Sequence, residues 1–296
     1  MSKFRKETLF AQGCNALRKC GIEEECYACP ICGTAFGKSS IYTGELTEEH
    51  VPPKSIGGKA VLLTCKECNS FAGHSFEFAA KDRTQLERKV KGLFGRIDGD
   101  LGHVQIEIGK ARINADFSNF NDVRSLKLSE KHNSPSALAL FTRERENMTL
   151  SDSIQIHVPD AYKQSNVRLT DLKAGFLAAT AKFGYSYGLS KNLNFIREQL
   201  RQAHEKDNQL KYLNTSFQPI NSIAVSFKKG ICLVRFQDTS FVLPMPFVEK
   251  DVFLSNFGSD QIVDEKFQVF ELPKSFEASA DHNGSFIAKI SHPSGA

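Results

Sequence analysis

Seven of the eight cysteines in this 296-residue chain lie between Cys14 and Cys68, and four of them form two Cys-x-x-Cys pairs, Cys29/Cys32 and Cys65/Cys68. This clustering constrains the fold more than any other feature. The N-terminal residues lack the apolar stretch of a secretory signal, and no apolar run approaches the ~18 residues that span a bilayer. The chain therefore reads as cytoplasmic, with reduced thiols and no membrane partner. Paired cysteines then point to metal rather than to disulfides.

Cys29-Pro-Ile-Cys32-Gly33 has the form of a zinc knuckle: a tight turn aims both thiolates at one ion, and Gly33 supplies the backbone freedom that follows. Cys65-Lys-Glu-Cys68 repeats the spacing. Two such pairs make a closed tetrahedral site for structural Zn2+. Cys26-Tyr-Ala-Cys29 has the same spacing, so the register of the first pair stays open, although Pro30 and Gly33 favour Cys29/Cys32. Cys14 and Cys20 read as buried or free thiols.

The insert between the pairs is longer than that of a simple zinc ribbon. A strand over Ile41 to Glu49 ends in Glu48-Glu49-His50, Val51-Pro52-Pro53 stops it, and Ser55 to Gly58 forms a loop. Val61 to Thr64 gives a second strand, and the second cysteine pair with Asn69 opens a helix. Two strands and a helix pinned by zinc make a ββα unit. A further helix, Phe76 to Phe94, carries Lys81, Arg83, Arg88, Lys89 and Lys91 between apolar positions. That pattern suits either a solvated face or a nucleic-acid backbone.

Glu49-His50-Val-Pro-Pro-Lys-Ser-Ile-Gly-Gly, followed by Leu-Thr-Cys-Lys-Glu-Cys-Asn69, resembles the HNH endonuclease family in its four-cysteine branch, over about residues 26–78. The resemblance implies a metal-dependent nuclease acting on nucleic acid, DNA foremost, and a setting such as antiviral defence. It implies that His50 is the general base. Glu49, with Glu48 as its alternative, would hold a catalytic divalent ion, with Asn69 as second ligand. An imidazole titrating near neutrality suits activation of water. A hard cation on a carboxylate and an amide oxygen, Mg2+ or Mn2+, suits the leaving oxyanion. Asn69 has a second reading as a helix cap.

Two departures qualify the resemblance. Lys59-Ala60 stands where the family's middle Asn is usual, and His74 lies five residues after Asn69 instead of three or four. On a regular helix five residues put two side chains about 140° apart. Either Gly73 breaks the helix, or His74 meets phosphate, or Glu77 serves instead; His74 is the leading third ligand and Glu77 the weaker one. The alternative function is a nucleic-acid-binding or regulatory protein with an inactive HNH fold.

Residues 1–96 hold 15 Lys+Arg against 11 Asp+Glu, and the rest of the chain holds 23 of each. The excess positive charge thus sits with the cysteines, as a phosphodiester site would have it. Beyond Gly95, short strands are expected at 104–108, 111–117, 137–142 and 153–158. Helices follow at 172–189 and 193–205, then strands at 222–227, 231–236 and 241–246, with a hairpin turn at 228–230. The fold class is α+β: an HNH domain over 1–95, then a larger mixed domain over 96–296. The second domain is expected to select a substrate, a partner protein or another copy of the chain. The tail from Ala278 is polar.

Overall fold

The computed structural model describes residues 3–94, 99–120, 123–128, 130–149, 152–157, 163–203, 212–213, 221–236, 239–256 and 267–275. Its elements are α1 (Lys3–Arg18), β1 (Tyr27–Ala28), β2 (Ala35–Phe36), α2 (Ser40–Thr43), β3 (Leu46–Val51), β4 (Lys59–Cys65), α3 (Lys66–Ala72) and α4 (Phe78–Phe94). A π-helical turn, Gly73–Glu77, joins α3 to α4. There follow β5 (Gly99–Ile108), β6 (Ala111–Phe120), β7 (Val123–Leu128), α5 (Pro135–Glu146) and β8 (Gln155–His157). The remainder is α6 (Gln164–Phe183), α7 (Tyr185–Gly188), α8 (Asn194–Gln202), β9 (Tyr212–Leu213), β10 (Ser222–Ser226), β11 (Ile231–Phe236), β12 (Thr239–Pro244), α9 (Lys250–Asn256) and β13 (Gln268–Glu271). The fold is mixed α+β, and every strand pair is antiparallel.

The chain forms two compact units, residues 1–80 with 164–296, and residues 81–163. The boundary expected at 95/96 falls inside the second unit. In the first unit, one apolar core runs from the ββα module into the later helices and sheet. It includes Ala28, Val61, Leu62 and Phe76, and also Phe176, Leu177, Tyr187, Val225, Phe241 and Leu243. At its centre is α6, buried from Leu169 to Ala181. An apolar surface nearly all round requires partners on every side. These are β3, β4 and the π-turn on the module's side, and β11 and β12 of the sheet β13-β10-β11-β12-β9. Gly175 lets the last of these come close, because a Cβ there would lie 1.7 Å from the Phe241 ring.

The second unit is a four-stranded sheet, β7-β6-β5-β8, covered by α5. Its core alternates with period two along the hairpin: Val104, Ile106 and Ile108, then Ala111, Ile113, Ala115 and Phe117, with Phe141 packed against them. Residues 137–142, expected as a strand, form part of α5. The reason is local: Ser134 caps the helix by accepting from the Ala137 amide, and Pro135 presets its first turn. The strand expected from Ile41 is also shorter. Residues 40–43 make a helical turn that ends at Gly44 with φ +81°, and pairing begins at Leu46. The helix expected at 172–189 starts earlier and is divided at Gly184, φ +81°, into α6 and α7. The other strands and helices lie where their periodicity puts them, with shifted ends and with residues 158 and 204–205 outside the described residues, and the 228–230 turn closes β10 onto β11. The tail from Ala278 lies outside the described residues.

Candidate active site and metal centre

The cysteine centre is built from three local structures. β1 and β2 form a short ribbon whose turn is Cys29 to Thr34, closed by the Gly33 amide on the Cys29 carbonyl and the Cys29 amide on the Thr34 carbonyl. Gly33 takes φ +76°, as the knuckle requires. Cys65 ends β4 and caps α3, its sulfur accepting from the Cys68 amide at 3.4 Å, and Cys68 sits in that first turn. The ligand atoms of Cys29, Cys32, Cys65 and Cys68 all lie within 4.8 Å of one another, and Cys32 Sγ and Cys65 Sγ are 3.8 Å apart. Zinc–sulfur bonds of about 2.3 Å in a tetrahedron put sulfurs about 3.8 Å apart. The four thiols therefore fit Zn2+. Cys26 is not among them, which resolves the register in favour of Cys29/Cys32.

Electrostatics agree with that chemistry. Burial pushes the Cys29 thiol well up, whereas hydrogen bonds from Cys29, Cys65 and Cys68 pull Cys32 down. The bare cluster thus shares protons that a zinc ion would displace. Arg197 of α8 is buried nearby, its pKa drawn down to about 10 by burial, with the Cys32 charge opposing the shift. Tyr185 donates to the Ala28 carbonyl at 2.5 Å, tying the knuckle to α7.

β3 and β4 pair from Leu46↔Cys65 to Val51↔Lys59. The register slips between Glu49↔Leu62 and His50↔Ala60, leaving Val61 as an extra residue, and such bulges re-aim side chains. His50 is half-buried there. Burial holds its imidazole below the ordinary value of 6.5, with the Glu49 and Glu48 charges opposing the shift. The imidazole is therefore mainly neutral at pH 7 and able to accept a proton. Lys54 and Lys59 are exposed at this end of the hairpin, whereas Lys66, also exposed, lies at its other end beside Glu45.

Residues 26–84 match the model of the HNH endonuclease family. This segment is an HNH domain. It makes up a fifth of the chain. No curated protein and no solved structure matches.

Within the HNH domain two of the expected ion ligands, Glu49 and Asn69, are engaged by other side chains, and the third, His74, is exposed. Glu49 is turned inward and buried, and its Oε2 accepts from the Thr64 hydroxyl at 2.9 Å and from Lys173 Nζ at 2.9 Å. Lys173 comes from α6 and also donates to Glu77 Oε1 at 2.8 Å. Asn69 donates its amide to Thr47 Oγ1 at 3.0 Å, and His74 is exposed. Gly73 does break the α-helix: the π-turn that starts there buries Phe76, whose carbonyl accepts from Thr170 of α6, and brings Glu77 to Lys173. Glu48 lies on the opposite face of β3 from Glu49, with its Oε1 buried and without a hydrogen-bond partner among the described residues. A divalent ion on Glu49 would need the position that Lys173 holds, so the Mg2+ or Mn2+ site implied by the motif does not fit this arrangement.

The sequence reading missed Lys173 and Arg197. Lys173 had a signal: a lone lysine within the run 172–181 must be paired if that stretch of helix is buried. What it pairs with depends on packing across about 100 residues of chain.

Proposed function

We propose that the HNH domain is an endonuclease that hydrolyses phosphodiester bonds of DNA, with His50 as its general base. The observation that carries this reading is the half-buried, mainly neutral imidazole at the bulged end of β3, in a segment that matches a nuclease family. His50 Nδ1 or Nε2 takes the proton from the attacking water, and Lys54 and Lys59 offer charge to the phosphates. Zinc on Cys29, Cys32, Cys65 and Cys68 is scaffold: it holds the knuckle against the start of α3 and so fixes the strand that carries His50. The proposed steps need only the chain's own residues, because Lys173 already holds the Glu49 carboxylate.

A second reading, a nucleic-acid-binding protein with an inactive HNH fold, draws support from the Lys173–Glu49 contact. Plasmid incubated with the zinc-loaded protein in Mg2+, Mn2+ or EDTA separates the two. Under the first reading the wild type nicks, and H50A is slower by about 10²- to 10⁴-fold, the usual share of a general base, with zinc content unchanged. Binding without nicking in any of the three conditions removes the nuclease reading.

A further inference from the structure

The Glu49 position in an HNH domain is where a catalytic cation is looked for, and here a cation is already present. Lys173 Nζ lies 2.9 Å from Glu49 Oε2 and 2.8 Å from Glu77 Oε1, with its side chain 1% exposed. Thr64 completes the surroundings of Glu49 by donating to the same oxygen. Burial pulls the Lys173 ammonium down, but the Glu49 and Glu77 carboxylates outweigh it and leave its pKa above the ordinary lysine value. The charge is thus permanent at neutral pH. We propose that Lys173 is the resident cation of this HNH domain, closing the Glu49–Glu77 site to divalent ions.

Three physical points carry the exclusion. Two carboxylates and one ammonium leave a single net negative charge, and a divalent ion added beside the ammonium would meet repulsion at close range. Mg2+ keeps several of its waters, and Glu49 at 4% exposure leaves no room for a hydrated ion. Lys173 is also held in place by its helix, since α6 is packed on β3, β4 and the π-turn at once. Glu49 and Glu77 consequently act as struts that bind α6 to the ββα module. Lys173 is a positioning residue, because a side chain this buried does not reach a phosphate.

The inference concerns metal binding and holds whether or not the chain cleaves, so its failure is distinct from failure of the nuclease reading. The zinc-loaded full chain is titrated with Mn2+ to about 1 mM, the weak limit for oxygen-ligand sites, and free Mn2+ is read by electron paramagnetic resonance. The wild type and E49Q are expected to hold the same amount of Mn2+. K173M is expected to gain one site per chain, which K173M/E49Q loses. A site in the wild type that E49Q abolishes overturns the proposal, as does a folded K173M that gains none. Should K173M fail to fold, the wild-type and E49Q pair still decides. Acetylation read by mass spectrometry gives a second measure: Lys173 stays protected with and without Mn2+, and exposure on adding Mn2+ overturns the proposal.

Discussion

Lys173 lies between two acidic side chains, so removing it should cost more than removing either acid. At 2.9 Å and an effective dielectric near 20, each contact is worth about 6 kcal/mol gross. Desolvation returns several kcal/mol per buried ion, and breaking a buried pair nets about 3–5 kcal/mol. K173M strands two carboxylates and belongs at the top of that range. E49Q leaves the ammonium with Glu77 and should cost about 2–3 kcal/mol, and E77Q less, because Glu77 is 16% exposed. Combining E49Q with K173M should recover part of the loss, a coupling of about 2–3 kcal/mol. Urea denaturation at one fixed, saturating zinc concentration measures all four, since zinc bound to the native state adds its own stability. The pH dependence follows from the raised pKa of Lys173. Its contribution is fully present below the unfolded value of 10.5 and is lost as pH rises through the higher folded value. The gap between wild type and K173M should therefore be flat around neutrality and narrow only above about pH 10.5. A coupling below about 0.5 kcal/mol, or E49Q costing more than K173M, refutes the reasoning.

The remaining predictions concern zinc and the base. Metal analysis should find one zinc per chain in the wild type and in C26S, and none retained through dialysis in C29S or C65S; loss in C26S would contradict the four-cysteine geometry. The pH profile of cleavage should rise with an apparent pKa below 6.5, because the working form of His50 is neutral and its burial favours that form. A rise centred above 6.5 would assign the proton to another group.

The zinc site was legible because its determinants are local. Two turns of fixed spacing, Pro30 and Gly33 after the first cysteine, and a helix start at the second pair need nothing from the rest of the chain. The hairpins with alternating apolar residues, such as 104–117, were legible for the same reason. Residues 137–142 misled because a short apolar run fits a strand as well as a helix, and Ser134-Pro135 just before it decided the matter. The Cys26 alternative closed only when the sulfurs took positions in space.

The sequence by itself determined that this chain holds four thiolates on two turns and sets Glu49-His50 at the end of a strand between them. Tertiary structure decided what Glu49 does. Packing α6 against β3 and the π-turn carries Lys173 into contact with Glu49 and Glu77, and a buried carboxylate takes the nearest cation that can be desolvated with it. Spacing along the chain specifies which donors are available, whereas the partner of a buried charge is set by the helix that happens to cover it.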